Sequence, residues 1–275
     1  TGTVLRNCNN FNVGDKVILV PNIDSKDVID KSPYFRHDLG GNYSVEAKFA
    51  SSTIDGFSKE IVSFPISNII KIGNEKYKPC YVFCELTSIV FAALRRVSIN
   101  KDSKVAIWGT GNLGYLTCLV IRHVFNCEIS IIGRNFDKLG KFDFCDHRVL
   151  TGNVSKNKNE FDICIECVGG DASELAINQM IDEIKIGGHI LLTGVSEKNI
   201  AINTRKILER GISLLGSSRS TVEDFKMALE LFKDISFIRR VDKLILSISR
   251  ILSIDDYYKA FEQEAQNKFI GKTIM

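Results

Sequence analysis

Residues 104–125 read "KVAIWGTGNLGYLTCLVIRHVF", and this stretch decides how the rest of the chain is read. An apolar run, 104–108, leads directly into a Gly-x-Gly-x-x-Gly hexapeptide at 109–114, and apolar residues at helical spacing follow. The hexapeptide alone says only that a turn needs glycines. Between a strand and a helix it becomes a phosphate cradle. Gly109 permits the tight turn, Gly111 lets the backbone approach a pyrophosphate, and Gly114 lets the helix pack closely on the strand. The helix start at Asn112 and Leu113 then offers amide donors and a partial positive charge to the phosphate.

Working outward, the texture from 104 onward is strand–helix alternation. Strands are predicted at 104–109, 128–133, 147–150, 161–168, 188–195 and 212–217, with helices at 112–125, 136–143, 172–184 and 203–210. Short apolar strands alternating with helices predict an α/β fold with a parallel sheet covered on both faces. Six strands complete a doubly wound Rossmann unit.

The end of the second strand selects the dinucleotide. A site for NAD places Asp or Glu there, on the ribose 2′-OH. Here Gly133, Arg134 and Asn135 occupy the position and Lys138 follows one turn later. A carboxylate would repel a 2′-phosphate, whereas a guanidinium binds it bidentately. The predicted cofactor is NADPH.

Residues 1–75 lack helical periodicity and read as short strands at 15–22, 42–50 and 61–66. A helix is predicted over 84–97, ending in basic residues that suit its C-terminal dipole. After 220 the text reads capped helix (Ser220 or Thr221 as cap), strand, helix, strand, and these elements are expected to return to the first domain. The expected boundaries are 1–85, 86–220 and 221–275.

Composition narrows the function class. The net charge of +3 is small and dispersed, which argues against nucleic acid as a partner. No apolar run approaches the length of a membrane span. Eight cysteines show no disulfide-framework spacing, so reduced, mostly buried thiols in a cytoplasmic protein are expected. Cys164 and Cys167 lie on one predicted strand, three apart and hence on opposite faces, so no metal role is expected for them. Thr1 is not an initiator, and the chain opens as if already inside a domain; upstream residues are expected.

An all-β unit, a linking helix, a dinucleotide fold and a returning tail together resemble the medium-chain dehydrogenase/reductase superfamily. "NVGDKVILVPN" at 12–22 is similar to its Gly-Asp-x-Val strand. The strings "SPYFR" (32–36), "ECVGG" (166–170), "AINQMID" (176–182), "NTRKILERGISLLGSSRS" (203–220) and the closing "GKTIM" resemble one subgroup, the ribulose-5-phosphate reductases that supply ribitol 5-phosphate for CDP-ribitol, teichoic acids and capsules.

The resemblance implies a partial GroES-like β domain beside the Rossmann unit, NADPH as cofactor, a sugar phosphate as substrate and a catalytic Zn²⁺ that polarises the ketone. It places the nicotinamide against Val168, Val195, Ser217, Ser218 and Arg219, with Ser88 facing it. It makes Glu85 the carboxylate contact of the metal or its water; read without the family, Glu85 is a first-turn glutamate favoured by the helix dipole. The remaining ligands, a cysteine and a His-Glu pair, are expected before residue 1. Cys84 and His37 are poor replacements, since Cys84 diverges from Glu85 by about 100° on the helix. No cysteine occupies the stretch where a structural zinc lobe would fall. Arg36 and Arg219 are the candidate anchors of the substrate phosphate. Two alternatives stand beside this reading: a general NADP-dependent zinc polyol dehydrogenase, and a cofactor-binding fragment without catalysis. A homodimer fits the superfamily, and the residues leave open a cytidylyltransferase as partner or fused domain.

Overall fold

A computed structural model describes residues 1–24, 41–44, 46–73, 77–154 and 159–275. The chain divides into two units, Thr1–Arg96 with Arg219–Ile238, and Val97–Ser218 with Arg239–Met275.

The second unit grows from the segment quoted above. Its strands are β6 (Lys104–Trp108), β7 (Glu128–Gly133), β8 (His147–Leu150), β9 (Phe161–Glu166), β10 (Ile184–Leu192) and β11 (Ser213–Gly216). They form one sheet in the order β11-β10-β9-β6-β7-β8, with every pairing parallel. This is the doubly wound arrangement the alternation predicts. The central strands are buried on both faces, with Ile107, Ile129, Ile131, Ile165 and Ile190 at most 1% exposed, so they read as apolar runs rather than alternations. Helices Asn112–Val124, Ser173–Glu183 and Thr204–Arg210 cover the sheet, as expected. The helix expected over 136–143 stops at Leu139, before Gly140, a residue that lowers helix stability. β10 starts four residues before the predicted strand and carries a register shift between Ile184 and His189, with Gly187 at φ +74 between them.

The first unit holds β1 (Gly2–Thr3), β2 (Lys16–Leu19), β3 (Asn22–Ile23), β4 (Lys48–Phe49) and β5 (Ile69–Lys71). β1-β2-β5 form an antiparallel sheet and β3-β4 a separate pair. The single strand expected over 15–22 is interrupted at Val20 and Pro21, where proline cannot donate to a ladder. The strand expected at 61–66 is absent; the pairing strand lies three residues further on. Ile61 is 71% exposed, and Pro65 instead opens a tight turn, Ile66–Asn68. The buried Asn68 side chain donates to the carbonyls of Val20 (3.2 Å) and Asn22 (2.6 Å), closing the gap between β2 and β3.

The helix Cys84–Leu94 packs on the helix Val222–Leu231. Thr221, not Ser220, caps the latter in a reciprocal box with Asp224. Asp224 is 1% exposed and also accepts from Arg95. The helix Ile235–Val241 was not expected.

The tail divides. Residues 219–238 group with the first unit, but 239–275 group with the second rather than returning to the first. There β12 (Ile245–Ile248) and β13 (Lys272–Ile274) pair with each other. The cause is a set of side-chain anchors around the Asn112–Val124 helix. Asn112 accepts from Gly271 N (2.6 Å) and donates to Gly271 O (3.2 Å). Tyr115 Oη donates to Arg240 O at 3.4 Å, and Arg240 pairs with Asp143 and stacks 4.8 Å from the Phe144 ring centre. Among the described residues no helix is long and apolar enough to cross a membrane.

Candidate functional site

A cavity of about 450 Å³ opens in the second unit where the order of strands reverses, between β6 and β9, the place where doubly wound sheets bind ligands. Each glycine of 109–114 has a distinct reason. Gly109 has φ +121, and a Cβ there would lie 2.4 Å from Cys167 O. A Cβ on Gly114 would lie 1.9 Å from Gly109 O. Gly111 has nothing within 4 Å of its would-be Cβ; it keeps a cradle clear rather than permitting a contact. Gly111 starts the Asn112–Val124 helix and no side chain caps that end, which leaves the first-turn amides for an anion. The residues therefore fit a dinucleotide pyrophosphate.

Gly133, Arg134, Asn135 and Lys138 all line this cavity, and no Asp or Glu lies among its described lining residues. Gly133 is required because a Cβ would lie 2.3 Å from Thr110 Cγ2. The Asn135 side chain accepts from Lys138 N at 2.9 Å, so it caps the short helix Phe136–Leu139 and steadies the two cations flanking it.

The structure adds residues the sequence reading missed. Lys268 brings a third cation from the tail into the lining. Gln179 accepts from Trp108 Nε1 (3.1 Å) and donates to Thr151 O (3.1 Å), fixing the cavity floor. The Asn112 side chain holds Gly271, and neither Asn112 nor Leu113 is among the described residues lining the cavity.

Val168 lines the cavity, whereas Val195 is 81% exposed at the end of β10, outside that lining. Ser217 and Ser218 close the first stretch of the second unit, with Ser217 buried, and Arg219 belongs to the first unit. Arg219 has φ +63, lies 5.5 Å over the Phe49 ring and donates to Asn42 O at 3.3 Å. Ser88 is buried, bonded to Ser220 Oγ (2.8 Å) and Glu85 O (2.6 Å). It joins two segments of the first unit.

Glu85 lines a second cavity of about 300 Å³, within the first unit, together with Thr1, Phe49, Tyr81 and Phe225. Cys84 turns elsewhere, its Sγ 3.8 Å from Phe225 O. Burial, reinforced by the neighbouring Glu85 charge, pushes the Cys84 thiol far up. Cys164 is a core thiol, and burial raises Cys167 to about 11. Among the described residues no three His, Cys, Asp or Glu side chains gather as a metal site. A catalytic zinc takes about three protein ligands, so the described donor set does not fit one. Arg36 and His37 lie outside the described residues.

The zinc-binding dehydrogenase family model matches residues 137–234. The chain is 35% identical over 273 residues to ribulose-5-phosphate reductase 1 of Staphylococcus aureus, covering 96% of this chain and 76% of that one. The chain belongs to the ribulose-5-phosphate reductase family of medium-chain dehydrogenases/reductases. It is 31% identical over 273 residues to the ribulose-5-phosphate reductase of Streptococcus pneumoniae, covering 98% and 76%. The crystal structure of S. aureus TarJ in complex with NADPH superposes with a TM-score of 0.79 at 30% identity, covering 96% of this chain and 76% of that one. The family is one of oxidoreductases, and the chain spans about three quarters of the length of these relatives.

Proposed function

We propose that the chain carries the NADPH-dependent reduction of D-ribulose 5-phosphate to D-ribitol 5-phosphate. The observation that carries this is the cofactor cavity: an open cradle at Gly111 and an uncapped helix start, beside Arg134, Lys138 and Lys268 with no carboxylate in the lining. Those cations suit a 2′-phosphate, and the NADPH-bound relative supports the same cofactor.

When bound, NADPH would supply a hydride to C2 of the ketone while solvent supplies a proton to its oxygen, giving NADP⁺ and the alcohol. The glycine loop and helix start would hold the pyrophosphate, and Arg134 and Lys138 the 2′-phosphate. Arg219, above a Phe49 that lines the Glu85 cavity, is the described candidate for the substrate phosphate. Glu85 is the described residue proposed for a zinc or its water. Because the described residues do not complete such a site, no step is routed through the metal. The product suits cytidylyl transfer toward CDP-ribitol and from there cell-wall or capsule polymers.

The test is NADPH oxidation with ribulose 5-phosphate, beside NADH, unphosphorylated ketoses and a metal assay. A strong preference for NADPH and the phosphorylated ketose supports the proposal. Equal rates on unphosphorylated ketoses favour a general polyol dehydrogenase, and NADPH binding with no turnover on any ketose favours a cofactor-binding protein.

A further inference from the structure

Glu166 is the last residue of β9 and is 1% exposed. Its carboxylate is held entirely by donors. One oxygen accepts from Val168 N (2.8 Å), Gly169 N (2.8 Å) and Ser173 Oγ (3.0 Å), and the other accepts from Gly194 N (2.7 Å). The same residue's main-chain oxygen accepts from Thr193 Oγ1 at 2.5 Å. Nothing larger than glycine fits at 194, where a Cβ would lie 2.5 Å from both carboxylate oxygens. Further out, Gly170 N donates to Val195 O (2.8 Å) and Ser196 Oγ to Gly170 O (2.9 Å). One buried carboxylate thus fastens the loop after β9, 167–172, to the loop after β10, 193–196.

The position of this fastening is what gives it meaning. A dinucleotide lies across the point where the strand order reverses, one mononucleotide on each side. In this sheet that point lies between β6 and β9. The adenosine side is the β7 end, where Arg134, Asn135 and Lys138 stand. The pyrophosphate belongs at the Asn112–Val124 helix start. The other mononucleotide then has to run over the ends of β9 and β10, which are the two loops Glu166 joins. The cavity already reaches Cys167 and Val168, the first residues past Glu166.

We infer that Glu166 is the positioning residue for the nicotinamide half of the cofactor. It touches neither cofactor nor substrate. It sets the spacing of the two loops on which that half rests, by accepting three backbone N–H groups that a buried loop would otherwise leave unpaired. An amide cannot replace it, since a glutamine NH₂ would face a donor in place of an acceptor. The inference rests on the NADPH reading above.

The test compares two ligands on the wild-type chain, Glu166→Gln and Ser173→Ala. NADPH has both halves; adenosine 2′,5′-bisphosphate keeps the 2′-phosphate and lacks the nicotinamide half. In Glu166→Gln, NADPH binding is expected to weaken about tenfold or more, while adenosine 2′,5′-bisphosphate binding stays within about twofold, because the cations at the β7 end are untouched. Ser173→Ala removes one of the four donors and shifts NADPH binding in the same direction by about threefold; it decides the question if the glutamine variant does not fold. Equal weakening of both ligands, as a purely structural role predicts, overturns the inference, and so does no change in either. A wild-type chain that binds neither ligand overturns the cofactor reading and the inference with it.

Discussion

The two units are built from different materials. The cofactor cavity of the second unit is shaped by main chain: glycines without side chains, helix amides, and loop N–H groups gathered by one carboxylate. The first unit is held by side chains meeting across long stretches of sequence: Arg95 on Asp224, Arg219 over Phe49, Ser88 on Ser220. A site made of backbone tolerates little change at its glycines and much at its rim. A unit made of side-chain pairs fails pair by pair. Substitutions can break this contrast in order of effect.

The largest effect is expected from Gly114→Val. Its Cβ alone would lie 1.9 Å from Gly109 O, so helix and loop must separate. Overpacking of this kind costs about 1–3 kcal/mol or more, and because it displaces the cradle itself, NADPH binding by fluorescence titration should fall by about a hundredfold or more. Asp224→Asn comes next. Asp224 accepts from Thr221 N (2.7 Å), Thr221 Oγ1 (2.8 Å) and Arg95 while almost fully buried. Losing that charge should destabilise the first unit by about 2–4 kcal/mol, seen as a lower melting transition with NADPH binding unchanged. A parallel loss of NADPH affinity would erase the contrast between the units.

Arg134→Ser is expected to weaken NADPH by about ten- to thirtyfold and leave NADH nearly unaltered, because only a contact to the 2′-phosphate is lost. Equal loss for both would place Arg134 on the pyrophosphate instead. The smallest effect is acid sensitivity at the base of the sheet. Burial alone would raise the Asp162 carboxyl, but hydrogen bonds from Lys185 and Lys104 N outweigh it and hold the group below its ordinary value. A carboxylate depressed in the folded state adds stability above its unfolded pKa of about 4 and loses it as pH falls through the lower folded value. Denaturant midpoints should therefore drop below about pH 4, and less steeply in Asp162→Asn. The side chain is 36% exposed, so screening keeps this under about 1 kcal/mol.

The same contrast explains what was legible beforehand. Strands buried on both faces announce themselves as apolar runs, and 128–133 is predicted to the residue. The glycine cradle and the Gly133-Arg134-Asn135 turn are local features, so they can be read locally. In the first unit, strands of two to four residues carry little pattern, and the sequence 61–66 looked like a strand until Pro65 turned the chain. The tail was misplaced because its anchors, Asn112 to Gly271 and Tyr115 to Arg240, join residues with no periodic relation. Lys268 and Gln179 escaped for the same reason: a charged residue in a loop and a polar one on a helix declare nothing until the fold sets them beside the cavity.

The Asn112–Gly271 clasp has a consequence in time. It joins positions 159 residues apart, and contacts of such separation close late, after local pairs have formed. During refolding, the parallel sheet and its glycine turn can be in place while Lys268 is still far from the cleft. A stopped-flow trace of NADPH fluorescence should then lag behind the recovery of secondary structure, and Asn112→Ala should lengthen that lag. The nucleotide would serve as a clock for the last step of folding rather than a template for the first.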